Sequence, residues 1–338
     1  MRKFINWTIL LSLCLLLAAC GNSASESGNE SGAKASEKGP MADKPVTILT
    51  GGTSGIYFQL GNAMAKVYGE KLGAQTSAQT TGASAENSAK ISRGKAEIGF
   101  AMADTVADAY SGEGNFVKSG ALSNLRAVAS LYPNYMQIVA PKSAGVRTLE
   151  DLKGKDLAVG ALGSGTEIMA RRILEEAGLT YDDVDADFLS FSEGIEGIKN
   201  GTTDVAFLSS GYPNSGIMEL AASDEVEIIP VPQELTEKLQ KKYPAFEVGS
   251  IPADTYKGVK TDRETVMVNN LLITNKDLPE EDIYILTKTL FENQKDLENA
   301  HSSAKKIKLE EAAKKLPLPL HPGAEKYYKE KGVLDQNK

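Results

Sequence analysis

VTILTGGTSGIYFQLGNAMAKVYGEKL, residues 46–72, is the stretch whose reading decides the fold class. Val46 to Thr50 is a short β-branched and aliphatic run that stops at Gly51-Gly52-Thr53-Ser54-Gly55. Ile56 to Leu72 then carries apolar residues at helical spacing, so the order is strand, tight loop, helix. It recurs at once: a predicted strand at Gln75 to Thr80, a loop Thr81-Gly82-Ala83-Ser84, a helix through Arg93 and a strand from Ile98 to Met102. Strands alternating with helices predict an α/β protein with a mostly parallel sheet covered by helices on both faces.

The second third of the chain repeats the plan. Asp156 to Ala161 reads as a strand, Gly163-Ser164-Gly165-Thr166 as its loop, and Glu167 to Ala177 as a helix closed by Gly178. Asp187 to Phe191 with Glu193 to Lys199 gives a further unit, and Asp204 to Leu208 another strand. Two lobes of one style follow, residues 45–138 plus 265–338 forming lobe 1 and residues 139–264 lobe 2. Gln137 to Ala140, ending at Pro141, and Thr265 to Thr274 are strand-like runs that carry the chain out and back, and two such crossings make a hinge. Glu281 to Phe291 and Ala304 to Lys314 read as helices that finish lobe 1, after which Pro317, Pro319 and Pro322 break the pattern.

Outside this region the chain begins with Arg2 and Lys3, an apolar stretch from Ile9 to Leu17, and Leu17-Ala18-Ala19 before Cys20. The apolar run falls short of the roughly 20 residues that span a bilayer and has the plan of a secretory signal, residues 1–19. The Leu-Ala-Ala-Cys setting resembles the bacterial lipoprotein box, in which Cys20 would carry lipid and become the mature N-terminus. Cys14 and Cys20 are the two cysteines of the chain. Processing removes one and modifies the other, which leaves no thiol for a disulfide, a metal or a nucleophile. Residues 20–44, rich in Ser, Gly, Glu, Asn, Ala and Lys, read as a flexible tether. The expected location is the extracytoplasmic face of the cell membrane, held by the lipid, and periplasmic in a Gram-negative cell.

The chain has 338 residues, 41% hydrophobic and 24% charged, with a net charge of −8. That length favours two domains, and the mildly acidic balance argues against nucleic acid or anionic lipid as the main partner. The loops share one character: Gly51 to Gly55, Thr81 to Ser84, Gly163 to Thr166 and Ser209-Ser210-Gly211-Tyr212-Pro213 each stand after a predicted strand, where open α/β sheets bind ligands. Glycine lets backbone approach a ligand, serine and threonine add hydroxyls, and free amides at a helix start favour an anion. Any one of these loops is equally what a turn and a cap require.

Enzyme motifs fail on inspection. The loop at Ser164 has Leu162 and Thr166 where a nucleophile elbow needs glycines. Gly112 to Ser119 has Val117 where a phosphate-binding loop needs glycine before its lysine, here Lys118. Asp183, Asp185 and Asp187 are spaced like a calcium loop, but Phe188 replaces the turn glycine and Gly194 the closing glutamate, so the stretch reads as a solvated connection. His301 and His321 have no second histidine at metal-ligand spacing. A carboxylate enzyme stays formally open, since acids distant in sequence can meet. The expectation is a protein with no catalytic residues, no cofactor and no metal.

Taken in order, several segments resemble the TAXI group of solute receptors of tripartite ATP-independent periplasmic (TRAP) transporters. They are Thr50 to Tyr57, the Ser84 to Asn87 loop with Gly94 to Phe100 behind it, Leu131-Tyr132-Pro133, Asp151 to Lys155, Gly163 to Thr166, Gly211-Tyr212-Pro213, and Pro319 to Ala324. The resemblance implies a two-lobed periplasmic-binding-protein fold of type II-like plan, closing over a small solute and delivering it to the ion-coupled TRAP membrane permease. Relatives of this kind are associated with glutamate or glutamine and with dicarboxylates such as 2-oxoglutarate. By the same similarity the ligand would meet Gly52, Thr53 and Tyr57, then Ser84 and Asn87, then Ser164, Gly165 and Thr166, and finally Tyr212 and Pro213. The other branch of TRAP receptors clamps the carboxylate with an arginine. None of Arg126, Arg147, Arg171 and Arg172 is assigned that role by the sequence, so the anion is expected to rest on amides and hydroxyls. A monomer is expected. The rival readings are a solute-sensing surface lipoprotein serving a signalling partner and an extracellular carboxylate-based enzyme.

Overall fold

The computed structural model describes residues 39–335. The predicted signal peptide, Cys20 and the tether up to Lys38 lie outside the described residues. The last residues assigned to the tether are packed: Met41 is buried, its amide donates to the Leu72 carbonyl, and Lys44 pairs with Asp282 at 2.6 Å. One methionine suffices to dock the segment, because it fills the hydrophobic cluster that also takes in Leu72 and Ala74.

The chain opens with β1 (Pro45–Leu49), α1 (Ile56–Leu72), β2 (Gln75–Gln79), α2 (Ser84–Ser92), β3 (Ile98–Met102) and α3 (Ala103–Ser111). The long β4 (Leu125–Pro141) leads to β5 (Asp156–Ala158), α4 (Gly165–Glu176), β6 (Asp185–Asp187), α5 (Phe191–Asn200) and β7 (Val205–Ser210). Then come α6 (Ser215–Ser223), β8 (Val226–Ile229), α7 (Gln233–Lys242) and β9 (Phe246–Ile251). After β10 (Arg263–Asn275) the chain ends in α8 (Glu280–Glu292), α9 (Gln294–Ala300) and α10 (Pro322–Glu330).

Among the described residues all strands join one mixed sheet of ten, in the order β2-β1-β3-β10-β4-β7-β5-β6, with β8 beside β4 and β9 beside β10. Its two ends are parallel, β1 with β2 and β3, and β5 with β6 and β7. The antiparallel pair β4 and β10 joins them. Each of these long strands serves one end: β4 gives Tyr135 to Val139 to β7, and β10 gives Asn270 to Thr274 to β3. The pairing slips where Asn269 faces Pro133 and Leu271 faces Ser130, a bulge at a proline that has no amide to offer the ladder.

Local chemistry explains the elements. On α1, Ile56, Leu60, Met64, Val67 and Tyr68 share a buried face, and Gly73 at φ +69° closes the helix by donating its amide to the Gly69 carbonyl. Strand β3 is buried along its whole length, as a strand covered on both faces must be. The capping box of Ser190 and Glu193 starts α5.

Three expectations need correction. The strand expected at Asp187 to Phe191 is β6, shifted into the acidic stretch read as a solvated connection, because Ser190 and Phe191 are claimed by the cap and first turn of α5. The helix expected over Ala304 to Lys314 is two short 3₁₀ turns, Ser302–Lys306 and Leu309–Glu311. The carbonyl of Ala312, and that of Pro319 beyond it, accept the amides of Ser130 and Ala127 on β4, so the backbone there pairs with the sheet. Pro322, read as a breaker, opens α10, where a first-turn position needs no amide and His321 supplies the cap.

Among the described residues, no helix is long and apolar enough to cross a membrane.

Candidate functional site

A cavity of about 100 Å³ lies between the two parallel ends of the sheet. Gly51, Gly52, Ser54 and Gly55 line it with Ile56 and Tyr57 at the start of α1, as do Thr81 to Ser84 and Met102. From the other end of the sheet come Ala161, Ser164, Gly165, Thr166, Ser190, Phe191, Ser209 and Ser210, while Tyr132 and Asn134 of β4 complete the lining.

None of these lining residues carries a formal charge. The field comes from backbone: α1, α2, α4 and α5 begin at or beside lining residues, and Met102 is the residue before α3. The first amides of a helix have no partner within it and carry the positive end of its dipole. Each such end favours an anion by about 0.3–1 kcal/mol, an effect that Glu86, Asp104, Glu167 and Glu193 in the first turns of α2, α3, α4 and α5 already draw on in part.

The two sides meet closely around the cavity. The Ala85 amide donates to the Gly163 carbonyl at 3.1 Å, and Ser192 Oγ to Ser54 Oγ at 2.9 Å. A Cβ on Gly165 would stand 2.5 Å from Met102 Sδ and 2.7 Å from Ser84 Oγ, so only glycine fits there without displacing them. Ala83, beside them, holds φ +71°, a region L-residues avoid.

Beneath the cavity runs a chain of hydrogen bonds. The Tyr57 hydroxyl donates to Asn270 Oδ1. Asn270 Nδ2 donates to the Tyr132 carbonyl and to Asn134 Oδ1, both at 2.8 Å, and Asn134 Nδ2 donates to the Ser209 carbonyl at 2.9 Å. The chain ties α1 through β10 and β4 to β7, and burial pushes the Tyr57 phenol far above its ordinary pKa, so it stays a neutral donor.

Of the residues singled out by sequence, Gly52, Tyr57, Ser84, Ser164, Gly165 and Thr166 line this cavity, whereas Thr53, Asn87, Tyr212 and Pro213 do not. Thr53 and Pro213 are exposed. Asn87 is buried one layer behind, where Nδ2 donates to the carbonyls of Thr50 and Phe100 and Oδ1 accepts from Thr81, so it holds the first two loops together. Tyr212 packs edge-on against Tyr135, under the ammonium of Lys306. Among the described residues no arginine lines the cavity either. Arg172 is buried against Asp104 and Asp108, Arg171 pairs with Glu167, and Arg126 donates to the carbonyls of Ser123 and Leu125.

The lining also holds Met102, Tyr132, Asn134, Ser190 and Phe191, which lie outside the candidate loops. Ser190 had a signal, the Ser-x-x-Glu cap that aims the start of α5 inward. For Tyr132 and Asn134 none existed, because a strand residue's facing depends on a register and a bulge made with a partner more than a hundred residues away.

Comparison with solved structures defines the class of fold. The binding protein component of an ABC phosphonate transporter from Pseudomonas aeruginosa is 12% identical over 79% of this chain and 81% of that one, with a TM-score of 0.51. A structure described as a periplasmic transporter is 12% identical over 86% and 94%, with a TM-score of 0.52. The periplasmic aliphatic sulphonate binding protein of Escherichia coli is 14% identical over 85% and 83%, at 0.48. The two structures above 0.5 show the architecture, the α/β fold of the periplasmic binding proteins. Within that class the chain belongs to the NMT1-like family, whose model matches residues 48–332.

Proposed function

We propose that this protein is an extracytoplasmic solute-binding lipoprotein of the TAXI type, serving a TRAP transporter. It captures a small carboxylate, either glutamate or glutamine or a related dicarboxylate such as 2-oxoglutarate, and hands it to the ion-coupled permease. The observation that carries this reading is the uncharged cavity on which five helix starts converge. Its amides and hydroxyls suit an oxyanion.

In this reading residues 45–138 with 265–338 and residues 139–264 move as two lobes about β4 and β10. The solute binds the open form, and closure adds the second lobe's loops. A solute shifts that balance only through contacts it gains in the closed form, here the amides and hydroxyls that face it from both sides. The closed outer surface is what the permease reads, Cys20 holds the receptor at the membrane, and no bond is made or broken.

A thermal-shift series on the purified protein tests the reading, since a ligand of the folded state raises apparent stability by mass action. Glutamate, glutamine, 2-oxoglutarate and succinate are compared with methylphosphonate, an alkanesulfonate and neutral sugars. Stabilisation by a carboxylate is expected. Stabilisation by the phosphonate or sulfonate alone would keep the anion site but overturn the carboxylate, and stabilisation by sugars alone would overturn both.

A further inference from the structure

Asp104 and Asp108 on α3 share the guanidinium of Arg172 on α4, at 2.7 and 2.5 Å, and all three residues are buried. One positive charge faces two carboxyls, so the group holds an excess of one negative charge unless a proton joins it. Of the other titratable groups nearby, Glu113 adds repulsion at Asp108, and Arg171 gives a weaker attraction while held by Glu167 and Asn115. Tyr57 approaches Asp104 as a neutral phenol, and α7 and β9 present the rings of Tyr243 and Phe246 to Arg172. Burial is the largest influence on both carboxyls, against the opposing pull of Arg172, and it raises Asp104 to about 6 and Asp108 in the same direction. Helix α3 falls in residues 45–138 and α4 in residues 139–264, so in the two-lobe reading above the group crosses from one lobe to the other behind the cavity.

We propose that Arg172, Asp104 and Asp108 form a proton-dependent latch: closing the lobes buries both carboxyls against one guanidinium and takes up a proton, so acid favours the closed form. The inference rests on the two-lobe reading and adds to it what fastens the closed state. The proton comes from solvent and sits on a carboxylate oxygen of the Asp104 and Asp108 pair, which titrates as a unit. A carboxyl that moves from about 4 when open to about 6 when closed changes the closing equilibrium about tenfold between pH 5 and pH 7.5, with closure weakened as pH rises through about 6.

The Ala85 amide reports closure without a label. It stands in the first turn of α2, where an amide has no partner within the helix, and its acceptor is the Gly163 carbonyl of the other lobe at 3.1 Å. The test is hydrogen exchange of the wild type and of Asp104→Asn at pH 5 and pH 7.5, corrected for intrinsic rates, with the amides of β3 as the reference inside one lobe and a further arm with 2-oxoglutarate at pH 7.5. In the unliganded wild type, protection at Ala85 relative to β3 should fall about tenfold from pH 5 to pH 7.5. In Asp104→Asn the fall should vanish, because one carboxylate then balances one guanidinium, while His301 and His321 are common to both proteins. No fall in the wild type, or the same fall in the variant, overturns the proposal. If 2-oxoglutarate protects Ala85 without any such pH effect, the latch is refuted and the two lobes stand; if Ala85 follows β3 under every condition, both fall. Asp108→Asn removes the same excess charge and decides the matter by the same outcomes should Asp104→Asn fail to fold.

Discussion

The guanidinium of Arg172, on α4, lies 2.7 Å from Asp104 Oδ2, on α3, and the pair is buried. Asp108, one turn further along α3, takes a second guanidinium nitrogen at 2.5 Å, and the Tyr243 ring lies 3.8 Å beneath the charge. Met102 beside the start of α3 and Gly165 at the start of α4 both line the cavity. The ion triad therefore clamps, from behind, the two helices whose starts face each other across the site.

Removing one partner of a buried pair leaves an uncompensated charge, which typically costs about 3–5 kcal/mol. Arg172→Met should lose stability on that scale in urea unfolding at pH 7. A loss under about 1 kcal/mol would mean that the carboxyls had found other partners.

Burial outweighs Arg172 and raises the Asp104 carboxyl to about 6, and burial raises Asp108 as well. A folded-state pKa above the unfolded value means that the contribution to stability is fully present below about pH 4 and is lost as pH rises through about 6. Burial lowers His301 and His321, which works the opposite way, removing stability as pH falls below their unfolded value near 6.5. The two effects separate by difference. From pH 5 to 7.5 the wild type should lose stability relative to Asp104→Asn in urea titrations, and parallel pH profiles would refute the assignment.

At Gly165 a side chain meets Met102 and Ser84. Gly165→Val should lower thermal stability and abolish solute binding together, since the branch blocks the approach of the two sides. If the variant bound solute normally, the close approach would not belong to the binding-competent form.

Thr166 stands at the start of α4 in the cavity lining. Thr166→Val keeps the volume and removes a hydroxyl, so affinity should fall by about three- to thirtyfold, the range of one hydrogen bond, with little change in melting temperature. Unchanged affinity would move the ligand away from this helix start.

Ala83 pays for its left-handed backbone at the edge of the site. Ala83→Gly relieves the steric part, and the unfolded chain gains freedom in return, so stability should change by less than about 1 kcal/mol. A loss of several kcal/mol would show that the Ala83 methyl group is needed for packing.

The local rhythm of this chain determined a good deal by itself. The boundaries of α1 and β3, the series of Gly- and Ser-rich loops after strands, and the α/β class follow from short-range chemistry: apolar spacing, glycine stops and helix caps act within a few residues. Residues 125–141 show where that ends, since only Gln137 to Ala140 read as strand. The remainder of β4 is strand because β10 pairs with it from far along the chain, across a bulge at Pro133. Tertiary structure alone decided that Asn87 ties two loops together while Tyr132 lines the cavity, that Tyr212 packs on Tyr135, and that Arg172 is consumed by Asp104 and Asp108. Those outcomes depend on register and on which helices face one another, and such long-range geometry leaves no periodic trace in the residues that obey it.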